Sequence, residues 1–144
     1  MKIATFTPGV SILAQPTVAE VGELAARGFR SIITNRPEGE SADQPAWEDL
    51  AAAASAHGME AAQIPVVMGQ IDRGDVAAFR EALERMPTPI AAFCRTGTRA
   101  ALLWALANQG NLTTDERIRI AEAEGYDLAP FRNLLNEEND HAGA

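Results

Sequence analysis

Apolar positions along the chain fall into short continuous runs separated by longer stretches with a helical period. VSILAQ (10–15) is one such run, closed by Pro16, and TVAEVGELAARG (17–28) then sets Val18, Val21, Leu24 and Ala25 on one face. Thr17 and Glu20 have capping-box spacing and Gly28 supplies a stop, so the pattern predicts a short strand and then a helix of about ten residues. FRSIITN (29–35) is β-branched and runs into the turn residues RPEGE, the mark of a buried strand that delivers a loop. The rhythm repeats with a helix at 45–58, a strand in MEAAQIPVV (59–67), a helix at 72–86 and, after the break PTP, the short apolar strand IAAFC (90–94). TRAALLWALANQG (98–110), LTTDERIRIAEAEG (112–125) and DLAPFRNLLNEEN (127–139) predict three closing helices.

Strands alternating with helices of this length predict an α/β domain of three layers, a parallel sheet covered by helices on both faces. Right-handed crossovers then bring the C-terminal ends of the strands to one edge. With 144 residues, 47% of them hydrophobic, one domain over 1–137 is expected, followed by a flexible acidic tail at 138–144.

Twelve Lys+Arg against twenty Asp+Glu give a formal charge of -8, which argues against nucleic acid or an anionic membrane as partner unless the arginines are focused in one place. A single cysteine excludes an internal disulfide. With His57 and His141 as its only imidazole company, no Cys/His metal cluster can be written. The start MKIATFTPGVSILAQP lacks a leader's apolar region and no run approaches roughly 18 apolar residues, so a cytoplasmic protein without a bound cofactor is expected.

The cysteine sits where chemistry is favoured. Cys94 ends the last strand at the ligand-binding edge of a parallel sheet, and the residues after it are R-T-G-T-R. Gly97 permits a positive φ, so the amides of residues 95 to 99 can curl into an anion-binding nest ahead of a helix N-terminus. That ring, with Arg95 and Arg99, favours the thiolate, the nucleophilic form of cysteine. Without those neighbours a lone cysteine among Ala, Phe and Ile reads as a small buried hydrophobe.

The segment CRTGTRA resembles the active-site loop of single-domain rhodaneses, C-R-[ST]-G-x-R-[SA]. Over nearly the whole chain, the order of ILAQPT, a helix, FRSIITNRPEGE, the loop near IPV, the CRTGTRA turn and LTTDE…GYDL is similar to the β-lactamase-hydrolase-like family. That family's phosphatase-like domain occurs alone or fused to persulfide dioxygenases of metallo-β-lactamase type. The resemblance implies a cysteine-phosphatase-like topology, with a rhodanese-like one as the alternative, and a persulfide dioxygenase as a possible partner.

The two resemblances agree on the nucleophile and part on the substrate. Cysteine phosphatases use H-C-x5-R, whereas here Phe93 precedes the cysteine and Arg99 stands five positions after it, one short of that pattern. The tighter ring favours sulfur transfer. Cys94 would take a sulfane sulfur from a small anionic donor, thiosulfate or a glutathione persulfide, and pass it to an acceptor thiol or cyanide. Arg99 would grip the donor's anion, with Arg95, Thr96, Gly97, Thr98 and Arg36 as further binding residues. Phosphoester hydrolysis through a phosphocysteine is the alternative, with Asp72 as general acid. A non-catalytic persulfide or oxidant sensor using the same thiol is the second alternative.

Each lesser candidate also has a plain structural role. Asp72 fits a helix N-cap, Arg36 a surface turn, His57 a helix C-terminus, and Trp47 and Trp104 a core or a subunit contact. Asn35 and Glu38 belong to the turn after the second strand, near the cysteine edge.

Overall fold

The computed structural model describes residues 1–136; the tail at 138–144 and the end of the helix expected at 127–139 lie outside the described residues. Among the described residues the sheet has five strands: β1 (Ala4–Thr7), β2 (Val10–Ala14), β3 (Ser31–Thr34), β4 (Glu60–Gln63) and β5 (Ile90–Cys94). Their order is β1-β2-β5-β3-β4. The helices are α1 (Val18–Ala26), α2 (Trp47–Ala56), α3 (Arg73–Arg85), α4 (Thr98–Ala107) and α5 (Thr114–Ala123). A 3-10 turn at Ala129–Phe131 stands where the last helix was expected to begin, and helical residues follow at 132–136.

Strands β2, β5, β3 and β4 are parallel, as the alternation of strands and helices requires, while β1 pairs antiparallel with β2. This first strand escaped the sequence pattern. It is four residues long, and its neighbour across the Pro8–Gly9 turn carried the stronger apolar signal. β4 is also shorter than the 59–67 expected and lies at the open edge, largely exposed. Pro65 has no N–H to donate to a ladder, and the chain beyond Gln63 leaves the sheet as a loop.

β5 is central and buried at every residue. Its register places Ala14 of β2 opposite Cys94 and Thr34 of β3 opposite Phe93, so three strand ends converge on the cysteine. Two apolar clusters lie on the opposite faces. Leu13, Ile32 and Phe93 meet Val21 and Leu24 of α1 and Leu50 and Ala54 of α2 on one side. Ile12, Ile33 and Ala92 meet α3, α4 and α5 on the other. α1 approaches α2 at Gly22, where an added Cβ would lie 2.9 Å from Nε2 of His57, the C-cap residue of α2.

Helix α4, which follows the cysteine loop, is buried from Ala100 to Ala107. A helix apolar all round belongs in a core. Trp104 is fully buried and meets Phe6 edge to face at 4.8 Å, so it is a core residue of this chain. Asp72 has the capping role: its carboxylate accepts the Asp75 N–H, and Asp75 reciprocates on the Asp72 N–H. No helix among the described residues is long and apolar enough to cross a membrane.

Because α4 carries the cysteine loop on its first turn, its anchorage is open to a direct test. Trp104→Ala is expected to cost about 3–5 kcal/mol in chemical denaturation; a loss below about 1 kcal/mol would show that α4 is not held by this packing.

Candidate active site

The loop from Cys94 to Arg99 is built by the end of β5 and the start of α4. Gly97 is the N-cap of α4 with φ 98°, a left-handed conformation that turns its N–H back to Cys94 Sγ at 3.1 Å. Neighbouring strands pin the loop's base: the Gln15 N–H donates to Arg95 O at 3.2 Å and the Asn35 N–H to Phe93 O at 2.7 Å. The Thr96 and Thr98 hydroxyls lie 3.2 Å apart and hydrogen-bond to each other. The cysteine itself is almost fully buried.

Arg99 leaves the first turn of α4 and is clamped. Its Nη1 donates to Glu40 Oε2 at 2.7 Å and to Val66 O at 3.0 Å, while Nη2 donates to Glu40 Oε1 at 2.8 Å. Glu40 also accepts from Arg36 Nε at 3.0 Å. Hydrogen bonding to Arg99 first, and to Arg36 next, holds the Glu40 carboxyl at about 2 against an ordinary 4.5. The Arg99 guanidinium is correspondingly raised, chiefly by Glu40, with Cys94 adding to the effect. The fork expected to grip a substrate anion thus already holds a carboxylate of its own chain.

Arg36, expected on a surface turn, is instead buried to 5% exposure. Its Nη1 donates to Gln15 Oε1 and its Nη2 to Ser41 Oγ, so the guanidinium ties three segments together at the sheet edge. Glu38 serves elsewhere: it accepts the Trp47 N–H at the start of α2, where the N-cap Ala46 has no side chain to do so. Asn35 is fully buried, its amide donating to Ile64 O.

Two clefts open beside the loop and share Gln15 as their divide. One is bordered by Arg36, Ser41, Asp43 and Arg95. The other is bordered by Lys2, Glu20, Thr96 and Tyr126. The structure therefore gathers Cys94, Arg95, Thr96, Gly97, Thr98, Arg99 and Arg36 at one place. Asp72, the general acid of the phosphatase alternative and an expected helix N-cap, borders neither cleft and caps α3.

Residues that the sequence reading did not single out are Glu40, Gln15, Lys2 and Tyr126. The four-residue spacing of Arg36 and Glu40 was a usable signal for the first, and the strand-end position of Gln15 for the second. Lys2 and Tyr126 reach the site from the two ends of the described chain, a juxtaposition with no local signature. Among the described residues no group of three or more His, Cys, Asp or Glu is placed to hold a metal ion.

A cysteine loop between the last parallel strand and a buried helix, on a mixed five-stranded sheet, defines a cysteine-phosphatase-like fold. The chain belongs to the family described as beta-lactamase hydrolase-like protein, phosphatase-like domain, which matches residues 2–111. It is 35% identical over 130 residues to the beta-lactamase hydrolase-like protein of Xylella fastidiosa, covering 89% of this chain and 30% of that one. The chain thus spans about a third of the length of the curated relatives it matches. Among solved structures, a Neisseria meningitidis protein provisionally described as a phosphatase superposes with TM-score 0.88 and 33% identity over 96% of this chain and 99% of the other. Tk-PTP superposes with TM-score 0.75 at 13% identity, covering 97% of each chain, a likeness of fold. Of the two topologies expected, these neighbours carry the cysteine-phosphatase-like one.

The Glu40 clamp predicts a pH dependence. A carboxyl depressed on folding stabilises the fold fully above its unfolded value, near 4.5, and that contribution is lost as pH falls towards 2. Glu40→Gln should therefore be less stable than the parent at neutral pH, with the gap closing between about pH 4.5 and 2. Denaturation midpoints measured across that range check this, and a gap constant with pH would contradict it.

Proposed function

We propose that the chain is a sulfurtransferase in which Cys94 carries a sulfane sulfur as a persulfide. The observation that carries this reading is a six-residue ring, Cys94 to Arg99, with no carboxylic acid among the described residues beside it free to act as proton donor. Glu40 is held ionised by two guanidinium groups, and Asp43 is held below its ordinary value, chiefly by the Ser41 hydroxyl. Glu20 and Asp72 are committed to the capping boxes of α1 and α3.

Sulfur transfer has no need of such a donor. The Cys94 thiolate attacks the sulfane sulfur of thiosulfate, the S–S bond of the donor breaks, and sulfite leaves with the electron pair. An acceptor thiolate or cyanide then attacks the outer sulfur and returns Cys94 to the thiolate. Both leaving groups depart as anions, so no proton is required at either step. The Gly97 N–H supports the sulfur, and Arg95, which among the described residues has no ion-pair partner at hydrogen-bond distance, supplies a cation at the rim. An alkyl phosphate, by contrast, needs its leaving oxygen protonated.

A second reading, a cysteine-dependent phosphatase, is favoured by the comparisons, since the family bears a phosphatase-like description and the Neisseria neighbour is provisionally described as a phosphatase. On that reading Cys94 forms a phosphocysteine that water hydrolyses. A persulfide dioxygenase partner, or a cytoplasmic setting, would suit the sulfur reading and is proposed on that basis alone.

Thiocyanate formation from thiosulfate and cyanide, measured beside hydrolysis of an aryl phosphate, tests the choice. Turnover in the first assay, abolished by Cys94→Ser and unaffected by Asp72→Asn, is expected. Cys94-dependent hydrolysis of the aryl phosphate without thiocyanate formation would replace this proposal with the phosphatase.

A further inference from the structure

The cleft on the Thr96 side of the loop has a volume of about 340 Å³, and the function just proposed leaves it without a role. One wall is Tyr126, the single tyrosine of the chain. Its ring is set by an edge-to-face contact with Phe6 at 5.8 Å and lies under Lys2 Nζ at 5.7 Å. Its hydroxyl reaches the catalytic loop: a Cβ added to Gly97 would collide with the oxygen. Among the described residues that hydroxyl has no hydrogen-bond partner. Burial first, and the nearby Cys94 second, raise the phenol above its ordinary value, which keeps it a donor at neutral pH.

Lys2 brings a second donor to the same space. Its ammonium gives one hydrogen bond, to Glu124 O at 2.9 Å, and an ammonium has three to give. Glu20, the acid on the cleft wall, is turned to the Thr17 N–H at 2.9 Å. Two groups with hydrogens left to donate, one of them charged, face a cleft that ends at the cysteine loop. Their complement is an anionic acceptor, and a carboxylate suits a cation and a phenol together.

We propose that the cleft between Lys2 and Tyr126 is a subsite for the carboxylate of the small thiol that exchanges sulfur with Cys94. The inference rests on the sulfur-transfer reading for the identity of that thiol as a substrate. The thiol's sulfur lies over the Cys94 ring while its carboxylate accepts from Lys2 Nζ and Tyr126 Oη. Arg95, on the opposite side of Gln15, is left to the oxyanion of the donor.

Thiol–disulfide exchange tests the subsite without any sulfur donor. Cys94 attacks the dianionic disulfide 5,5′-dithiobis(2-nitrobenzoate) or the uncharged 4,4′-dithiodipyridine, forming a mixed disulfide and releasing one aromatic thiol in each case. The ratio of the two rates reports carboxylate recognition, and the rate with the uncharged probe reports the thiolate itself. Lys2→Gln and Tyr126→Phe are each expected to lower the ratio about five- to tenfold while leaving the dithiodipyridine rate within about twofold. Added salt should erode the Lys2 share of the effect.

An unchanged ratio in both variants overturns the proposal, as does an equal fall in both rates, which would make Tyr126 a support of the loop and no more. Lys2 is exposed, so its variant keeps the test valid if Tyr126→Phe folds poorly. Absence of thiosulfate turnover with a ratio that falls as expected would remove the sulfur-transfer reading and keep the carboxylate subsite.

Discussion

The Gly97 amide hydrogen reaches the Cys94 sulfur because the chain reverses between a buried strand and a buried helix within three residues. That reversal needs a left-handed residue at the cap of α4, and the open side of Gly97 is filled by the Tyr126 hydroxyl, so a side chain there would be both strained and obstructed. β5 fixes one end of the turn by hydrogen bonding to strands on both sides, and the burial of α4 fixes the other. The glycine at this cap and the burial of α4 together hold that contact in place. Cys94 stays within the core, with only the loop's rim in water.

Charge at the site is arranged around the same ring. In a chain of net charge -8, three arginines are brought to one sheet edge, and Glu40 spans two of them. A bidentate pair fixes the plane of the Arg99 guanidinium in a way that a solvated side chain would not. It also removes Glu40 as a proton donor, since the carboxylate that balances the arginines is held ionised by them. On the sulfur-transfer reading proposed above, this electrostatic arrangement, more than the length of the loop, favours leaving groups that depart as anions.

Much of this was legible in the sequence wherever local pattern and tertiary need coincide. The capping box at Thr17, the N-cap at Asp72, the strand ending in Cys94 and the turn at Gly97 each announce themselves within a few residues. β1 did not, because an alternation of only four residues, with Ala4 and Phe6 buried, is too short to stand out and owes its structure to β2. Arg36 was misplaced on the surface because an arginine in a Pro/Gly turn is ordinarily solvated; its burial depends on Glu40, Gln15 and Ser41 meeting it in space. Asp72 had two readings on paper, and the geometry gives it to the helix cap. Tyr126 lay beyond sequence reasoning, as its partners Gly97 and Lys2 are distant along the chain.

The central claim is that Cys94 accepts sulfur and not a phosphoryl group, and the covalent intermediate reports this most directly. Incubating the protein with equal concentrations of thiosulfate and an aryl phosphate, quenching in acid and recording the intact mass would show which group Cys94 holds. The account predicts a gain of about one sulfur atom, absent in Cys94→Ser and removed by added thiol. A gain of about one phosphoryl group on Cys94, with no sulfur adduct, would contradict it.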